Sequence, residues 1–443
     1  MGPRPELIES GYVTVKKGVI SEIGRGVPGQ PETGWFVDAH GSVLMPGLVN
    51  AHTHLYQVLL RAIWEDVALF PWLKKIYGAA EVLLPGDFYA GTLLGCLESL
   101  KGGVTTLCEH NFLNPHPECA TESVRALRNS HIRAVFARTI MDTGEIVPDC
   151  VKEKPEDAFK LIEALVSAER KKRTANRPDT LSFMTGANTP PINTTPNLLK
   201  QIRGFANAHS LGISAHVAES AGILQYLAAN CNESGVIRYL EQFDIPGENT
   251  IFAHCVHISQ DEIKLLKESG TSVSHNPVSN MMLGDGVAPV CEMLSAGVNV
   301  ALGTDGAASN HSQDLFEVMK AASLLQKVHH RDPGVIKPYS VLRMATAGGA
   351  GALGLSDVCG TIEVGKRADL ILVDVNGPHI QPLNDLFSQI VHCAKNSDVS
   401  TVMVDGRLLM KNREVLFLDE GELVDEARRA NRDLMKRLEE ARI

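Results

Sequence analysis

The chain has no long hydrophobic run. Nowhere in its 443 residues is there a stretch approaching the roughly 20 apolar residues needed to span a bilayer. Its N-terminal MGPRPELIESGYVTV also has no apolar segment of the kind a secretory signal carries. Positive charge is scarce. Forty-two Lys plus Arg against 52 Asp plus Glu leave a net charge of −10, which repels a phosphate backbone, so neither nucleic acid nor a membrane is an expected partner. The nine cysteines are odd in number and never spaced as CxxC, which argues against a disulfide framework and for reduced thiols in a cytoplasmic protein. An apolar share of 44% and a charged share of 21% are ordinary globular usage, so extended disorder is not expected.

Several signatures are missing as well. There is no HExxH and no GxSxG, so zincin and serine-hydrolase chemistry have no support. HPEC at 116–119 has no PCxxC after it, as a cytidine-type zinc deaminase would require. Gly349, Gly351 and Gly354 spell GxGxxG, but the helical-looking RMATAGG precedes them where a dinucleotide site needs a strand, so they read as close helix packing.

What is there is an alternation of two textures. From about 47 to 352, short apolar runs ending in polar residues alternate with helical patterns. The runs are LVNAHTH (48–54), VTTLCEH (104–110), IRAVFARTI (132–140), LSFMTGA (181–187), GISAHVAE (212–219), TIFAHCV (250–256), TSVSHNP (271–277) and NVALGTD (299–305). Such a series predicts an α/β chain folded as a (β/α)8 TIM barrel. On either side, YVTVKKGVISEIG (12–24) reads as a hairpin about Lys17-Gly18, and 360–375 and 399–415 read as short strands. The expected domains are therefore a small β-sandwich from 1–46 plus 357–420, the barrel over 47–356, and a closing helix over 421–443 with a mixed-charge, solvated face.

The histidines fall at the strand ends. His52 and His54 lie two apart on the first run, and period-two geometry turns both imidazoles to the same side. His216, His254, His275 and Asp305 close the fifth to eighth runs, at the rim where barrel active sites form. Polar groups there are costly to bury without a shared purpose, and imidazoles with a carboxylate suit a borderline divalent cation such as zinc, with a position left for water. Glu219, three residues beyond His216, is placed to take a proton from that water and pass it on.

With these residues in view, PGLVNAHTHL (46–55), SAHVAES (214–220), FAHCVH (252–257), SHNPVSNMMLG (274–284), LGTDGAASNHSQDLF (302–316) and GTIEVGKRADLILVD resemble the cytosine deaminase-like branch of the amidohydrolase superfamily. Within it they are most similar to the thiomethyladenosine/S-adenosylhomocysteine deaminases and the triazine hydrolases, over about residues 12–415. The resemblance implies one divalent ion, zinc ahead of iron, held by His52, His54, His216 and Asp305. It implies Glu219 as acid/base and His254 with Asp305 as the pair that orients water, while His275 borders the substrate. The fourth run holds no lysine, which fits a mononuclear site.

By the same resemblance Trp72 and Glu81 face base and ribose, and Arg138 matches an arginine that binds a sugar or a carboxylate. Asn188 stands where adenosine-type deaminases present a histidine to the base, an exchange of imidazole for amide that argues against an adenosine-type ring. The implied activity is hydrolytic deamination of a small nitrogen heterocycle by a homo-oligomer, dimer or tetramer. Two other readings stand beside it: a triazine-type hydrolase displacing chloride or an alkylamine at the same site, and a scaffold that has lost catalysis.

Overall fold

The computed structural model describes residues 6–29, 34–172 and 180–443. β1 (Gly11–Lys16) and β2 (Val19–Arg25) form the hairpin expected about Lys17-Gly18. Both turn residues adopt positive φ, 52° and 78°, the region that favours glycine. β3 (Val43–Pro46) runs on through Gly47 into β4 (Leu48–His54), the first barrel strand. A Cβ at Gly47 would lie 2.0 Å from Thr105 Oγ1, so only glycine allows the chain to pass so close to the next strand.

The remaining barrel strands are β5 (Val104–Asn111), β6 (Arg133–Ile140), β7 (Leu181–Ala187), β8 (Gly212–Val217), β9 (Thr250–His254), β10 (Ser272–His275), β11 (Val300–Leu302) and β12 (Asp305–Gly306). They pair in parallel in the order β11-β10-β9-β8-β7-β6-β5-β4-β12. The eighth run of the sequence thus arrives in two pieces. Its first part pairs with β10 and its second with β4, which joins the two edges of the sheet. Across the break Asn50 takes over from the ladder: its Oδ1 accepts the Thr304 N–H at 3.0 Å and its Nδ2 donates to Thr304 Oγ1 at 2.7 Å. Every residue of β4, β5 and β6 is buried, as expected for parallel strands filled from inside and covered by helices outside. The helices Pro85–Lys101, Pro117–Ser130, Pro155–Lys172 and Pro196–His209 each open on proline, whose missing N–H would have no helical acceptor there anyway.

The second layer is antiparallel. β13 (Leu370–Val373), β14 (Val399–Val404), β15 (Arg407–Lys411) and β16 (Glu414–Val415) follow the barrel, and the sheet order is β16-β15-β14-β13-β3. The hairpin docks on this sheet through a bridge from Val19 to Arg367 and an apolar cluster about Ile20, Ala368 and Leu370. Both flanks of the barrel therefore contribute to one β-rich unit, although only Leu370–Val373 of the 360–375 run is a strand. The preceding residues turn to meet the hairpin, where Gly365 N–H donates to the Ile20 carbonyl at 2.9 Å.

Where barrel and sheet meet, Arg133 Nε donates to Asp369 Oδ2 at 2.6 Å and Arg133 Nη2 to Asp405 Oδ1 at 3.1 Å, while Arg367 pairs with Asp405. The helix Glu420–Ala441 buries Leu423, Ala427, Leu434 and Leu438, and Arg437 Nη2 meets both oxygens of Asp87 at 2.9 Å. Gly349 and Gly351 lie in helix and pack closely as expected, a Cβ on Gly349 standing 2.7 Å from Val49 Cβ on β4, while Gly354 falls in the turn that follows. Among the described residues no helix is long and apolar enough to cross a membrane.

Candidate active site

The C-terminal ends of the barrel strands carry the cluster. His54 Nδ1 lies 2.6 Å from the His110 carbonyl oxygen and His216 Nδ1 lies 3.0 Å from the Asn188 carbonyl oxygen. A carbonyl only accepts, so both Nδ1 atoms are protonated, and each ring presents its Nε2 to the centre of the cluster. Burial, with the charges of His52 and His54 next, holds His216 well below the usual imidazole range, so that ring is neutral. The two Nε2 atoms nevertheless face each other at 3.2 Å. At that distance the pair shares a proton or a cation between them.

The other distances agree. Asp305 Oδ1 is 3.1 Å from His54 Nε2 and 3.4 Å from His52 Nε2, and the latter nitrogen has no hydrogen-bond partner among the described residues. Four ligands at 2.0–2.1 Å from a tetrahedral zinc stand about 3.3 Å apart, so these separations fit that ion and its neighbours in size. His52, His216, His254 and Asp305 each offer one donor atom, all within 4.8 Å of one another. Burial pushes the Asp305 carboxyl up, but the His52 and His54 imidazoles outweigh it and hold the group well below the usual carboxylate range. It is thus a carboxylate, as a metal ligand must be.

Glu219 lies beside this group. Its Oε1 is 3.6 Å from His254 Nε2. Burial pushes its carboxyl well above the ordinary value, and the charges of Asp285 and Asp305 add to the effect. A bound dication would act in the opposite direction. Local backbone is strained here: Ala218, His254, Cys255 and Asp305 all have positive φ, between 48° and 74°. Such angles in non-glycine residues persist where the surroundings over-determine them.

The substrate-side candidates fall into two groups. Trp72 is buried, and its indole N–H donates to the Ala308 carbonyl at 3.1 Å, three residues beyond Asp305. His275 is fully buried, neither ring nitrogen has a partner among the described residues, and burial lowers its pKa to about 3. Asn188 holds His216 through its carbonyl, donates from Nδ2 to the Tyr77 hydroxyl at 3.1 Å, and leaves Oδ1 buried and unpartnered among the described residues. Glu81 and Arg138 differ. Glu81 is exposed just after the helix Leu69–Ala79. Arg138 is fully buried, with Nη1 on the Thr139 carbonyl and Nη2 paired to Glu153 Oε1 at 2.6 Å.

Four residues join the site without a sequence signal having singled them out. His110 stacks near His216 with ring centroids 4.3 Å apart, its Nδ1 2.9 Å from Ser214 Oγ and its Nε2 buried without a partner among the described residues. It ends the run VTTLCEH, so the strand-end rule that picked out the other histidines applies to it too. Tyr77 supports Asn188 and Asn193. Asn280 and Asp285 back His254 and lie in a helical turn and loop, where no strand period points to them.

Known proteins resemble this chain along nearly its whole length. The model of the "Amidohydrolase family" matches residues 43–409. A 5-methylthioadenosine/S-adenosylhomocysteine deaminase of Syntrophomonas wolfei subsp. wolfei is 36% identical over 430 residues, covering 97% of this chain and 95% of that one. A 5'-deoxyadenosine deaminase of Methanosarcina acetivorans is 37% identical over 439 residues, covering 99% and 96%. Among solved structures, an adenosine deaminase from Xanthomonas campestris with bound zinc superimposes with a TM-score of 0.87 at 30% identity, covering 97% of this chain and 94% of that one. An atrazine chlorohydrolase from Arthrobacter aurescens complexed with zinc gives a TM-score of 0.85 at 23% identity, covering 95% and 94%, a likeness of fold. The chain belongs to the amidohydrolase family, the hydrolases that its strand-end histidines and parallel barrel pointed to.

Proposed function

We propose that the chain is a hydrolytic deaminase of adenosine-type nucleosides that binds one divalent cation, zinc before iron, at His52, His54, His216 and Asp305. The observation that carries this reading is the placement of Glu219, a carboxyl able to hold a proton, 3.6 Å from His254 Nε2 and beside that ligand set. The cation, when bound, supplies an activated water, whose pKa drops to about 7 on such an ion. Glu219 takes one proton of the attacking water and hands it to the ring nitrogen, where it stays; the second, released as the added hydroxyl becomes the ring carbonyl, passes to the departing amine, which leaves as ammonia. His254 Nε2 faces the same space and, with Asp305, orients the attacking oxygen. Trp72 and His275 border the base, and the buried Oδ1 of Asn188 is an acceptor aimed at a ring donor.

Relatives named for adenosine-type substrates support that ring class in spite of the amide at Asn188. The Arg138–Glu153 pair narrows the choice further, because a guanidinium already neutralised has little left for a substrate carboxylate. A neutral 5' group therefore suits the site better than the amino-acid tail of adenosylhomocysteine, and Glu81 reaches the ribose only if its loop turns inward. Exposed Met281, Leu324 and Val328 on one face support a homo-oligomer, which sedimentation would size.

The test is ammonia release from adenosine, 5'-deoxyadenosine, methylthioadenosine and adenosylhomocysteine, with a chlorotriazine in parallel. Ammonia from the nucleosides, fastest with the neutral 5' groups, is expected. Chloride from the triazine with no ammonia from any nucleoside would select the triazine-type reading instead.

A further inference from the structure

We propose that Asp285 and Asn280 form a positioning relay that fixes the tautomer of His254, so that its Nε2 carries the proton and presents it to Glu219 and Asp305. Asn280 is 1% exposed, and its Nδ2 donates to His254 Nδ1 at 2.9 Å. The same nitrogen lies 3.4 Å from Asp285 Oδ2. In its ionised form Asp285 only accepts, so at that distance it favours the nitrogen at that end of the Asn280 amide. That end then decides His254: an amide nitrogen only donates, so Nδ1 holds the lone pair and the ring's single proton sits on Nε2. Asn276 Nδ2 is 3.5 Å from both ring nitrogens, too long and too evenly placed to choose between them.

The relay is itself held. Asp285 N–H donates to the Asn280 carbonyl at 2.9 Å, and His257 Nε2 donates to the Asp285 carbonyl at 2.7 Å. Asp285 and Asn280 are thus fixed to each other through main chain as well as side chain. The far end is the pair of contacts already described, His254 Nε2 to Glu219 Oε1 at 3.6 Å and to Asp305 Oδ2 at 3.9 Å. With the opposite tautomer, Nε2 would offer a lone pair to the Asp305 carboxylate, which repels it. Asn280 Nδ2 thus donates to both neighbours, Asp285 Oδ2 and His254 Nδ1.

The catalytic consequence rests on the deaminase reading above, but the tautomer itself does not. Asn280→Asp keeps the shape of the side chain and exchanges its donor for an acceptor, so His254 should move its proton to Nδ1. In zinc-loaded protein labelled with 15N-histidine, with the His254 signals assigned by their loss in His254→Gln, the parent should show Nε2–H and Asn280→Asp should show Nδ1–H. Asn280→Asp should lower kcat by about 10- to 100-fold with KM within threefold and metal content unchanged, the loss typical of a second layer of support at a metal site. Asp285→Asn, which lets the Asn280 amide flip, should give a smaller loss in the same direction, and Asp285→Glu should restore part of it. Parent-like 15N shifts in Asn280→Asp would overturn the relay whatever the activity. Shifted signals with unchanged kcat would leave the relay standing and overturn the role given to His254. Should Asn280→Asp not fold, the Asp285→Asn spectrum decides the same question.

Discussion

At the N-terminal ends of the barrel strands, Arg133 opens β6 and meets Asp369 and Asp405, with Arg367 as the fourth member. At the C-terminal ends, Glu219, Asp285 and Asp305 share a pocket with the imidazoles of His52, His54, His216 and His254. Both clusters are buried. The first has two cations for two anions, and its geometry includes a two-point Arg133–Asp369 pair. In the second, among the described residues, no lysine or arginine bonds to any of the three acidic groups. A buried cluster that balances its own charge is architecture, and one left short of positive charge is a seat for something that supplies it.

That contrast can be broken from either side. The largest effect is expected from Asp305→Ala, which removes the anionic ligand: metal content by mass spectrometry should fall far below one ion per chain, and kcat/KM by more than about 10³-fold, since ion-assisted stabilisation is worth several kcal/mol. Full metal occupancy in that variant would place the ion elsewhere. At the other pole, Arg133→Met strands Asp369 and should cost about 3–5 kcal/mol in denaturant unfolding while kcat per bound ion stays the same. A loss of activity without a loss of stability would erase the distinction drawn between the clusters.

Glu219→Gln should keep the ion and lower kcat at least about 10²-fold, measured as initial ammonia release. The smallest effect is expected at a buried carboxyl outside both clusters. Asp314 caps the helix Leu315–His330 by accepting the Phe316 and Glu317 N–H groups, and burial pushes its carboxyl up to about 6 from an ordinary 3.8. The folded chain therefore holds this proton more tightly than the unfolded chain, so the group's contribution to stability falls as pH rises from 3.8 to about 6. Asp314→Asn keeps a capping oxygen and removes that slope. Relative to the parent it should gain on the order of 1 kcal/mol above pH 6 and nothing at pH 4, read by melting temperature across pH.

Much of the barrel was legible because parallel strands buried on both faces are written as short apolar runs, and LVNAHTH and LSFMTGA coincide with β4 and β7 to the residue. The run NVALGTD did not reveal its break, because Asn50, some 250 residues away in sequence, supplies the side-chain bonds that replace the ladder. The residues that converge at the rim were readable for a similar reason to the strands: they end runs. Arg138 shows the limit of that rule. It sits on β6 as expected, but its pairing with Glu153 depends on how the following loop folds back, and no period in the sequence records that. Asn280 and Asp285 escaped because hydrogen-bond direction, not spacing, gives them their place.

The divided eighth strand has one more consequence. Asp305 belongs to the two-residue piece that pairs with Thr53 and His54, so the carboxylate and two of the imidazoles stand on either side of the seam where the cylinder shuts. An ion bound there would work as the clasp of a bracelet, fastening the last stave to the first, and chelation should then loosen the wall at that joint before anywhere else.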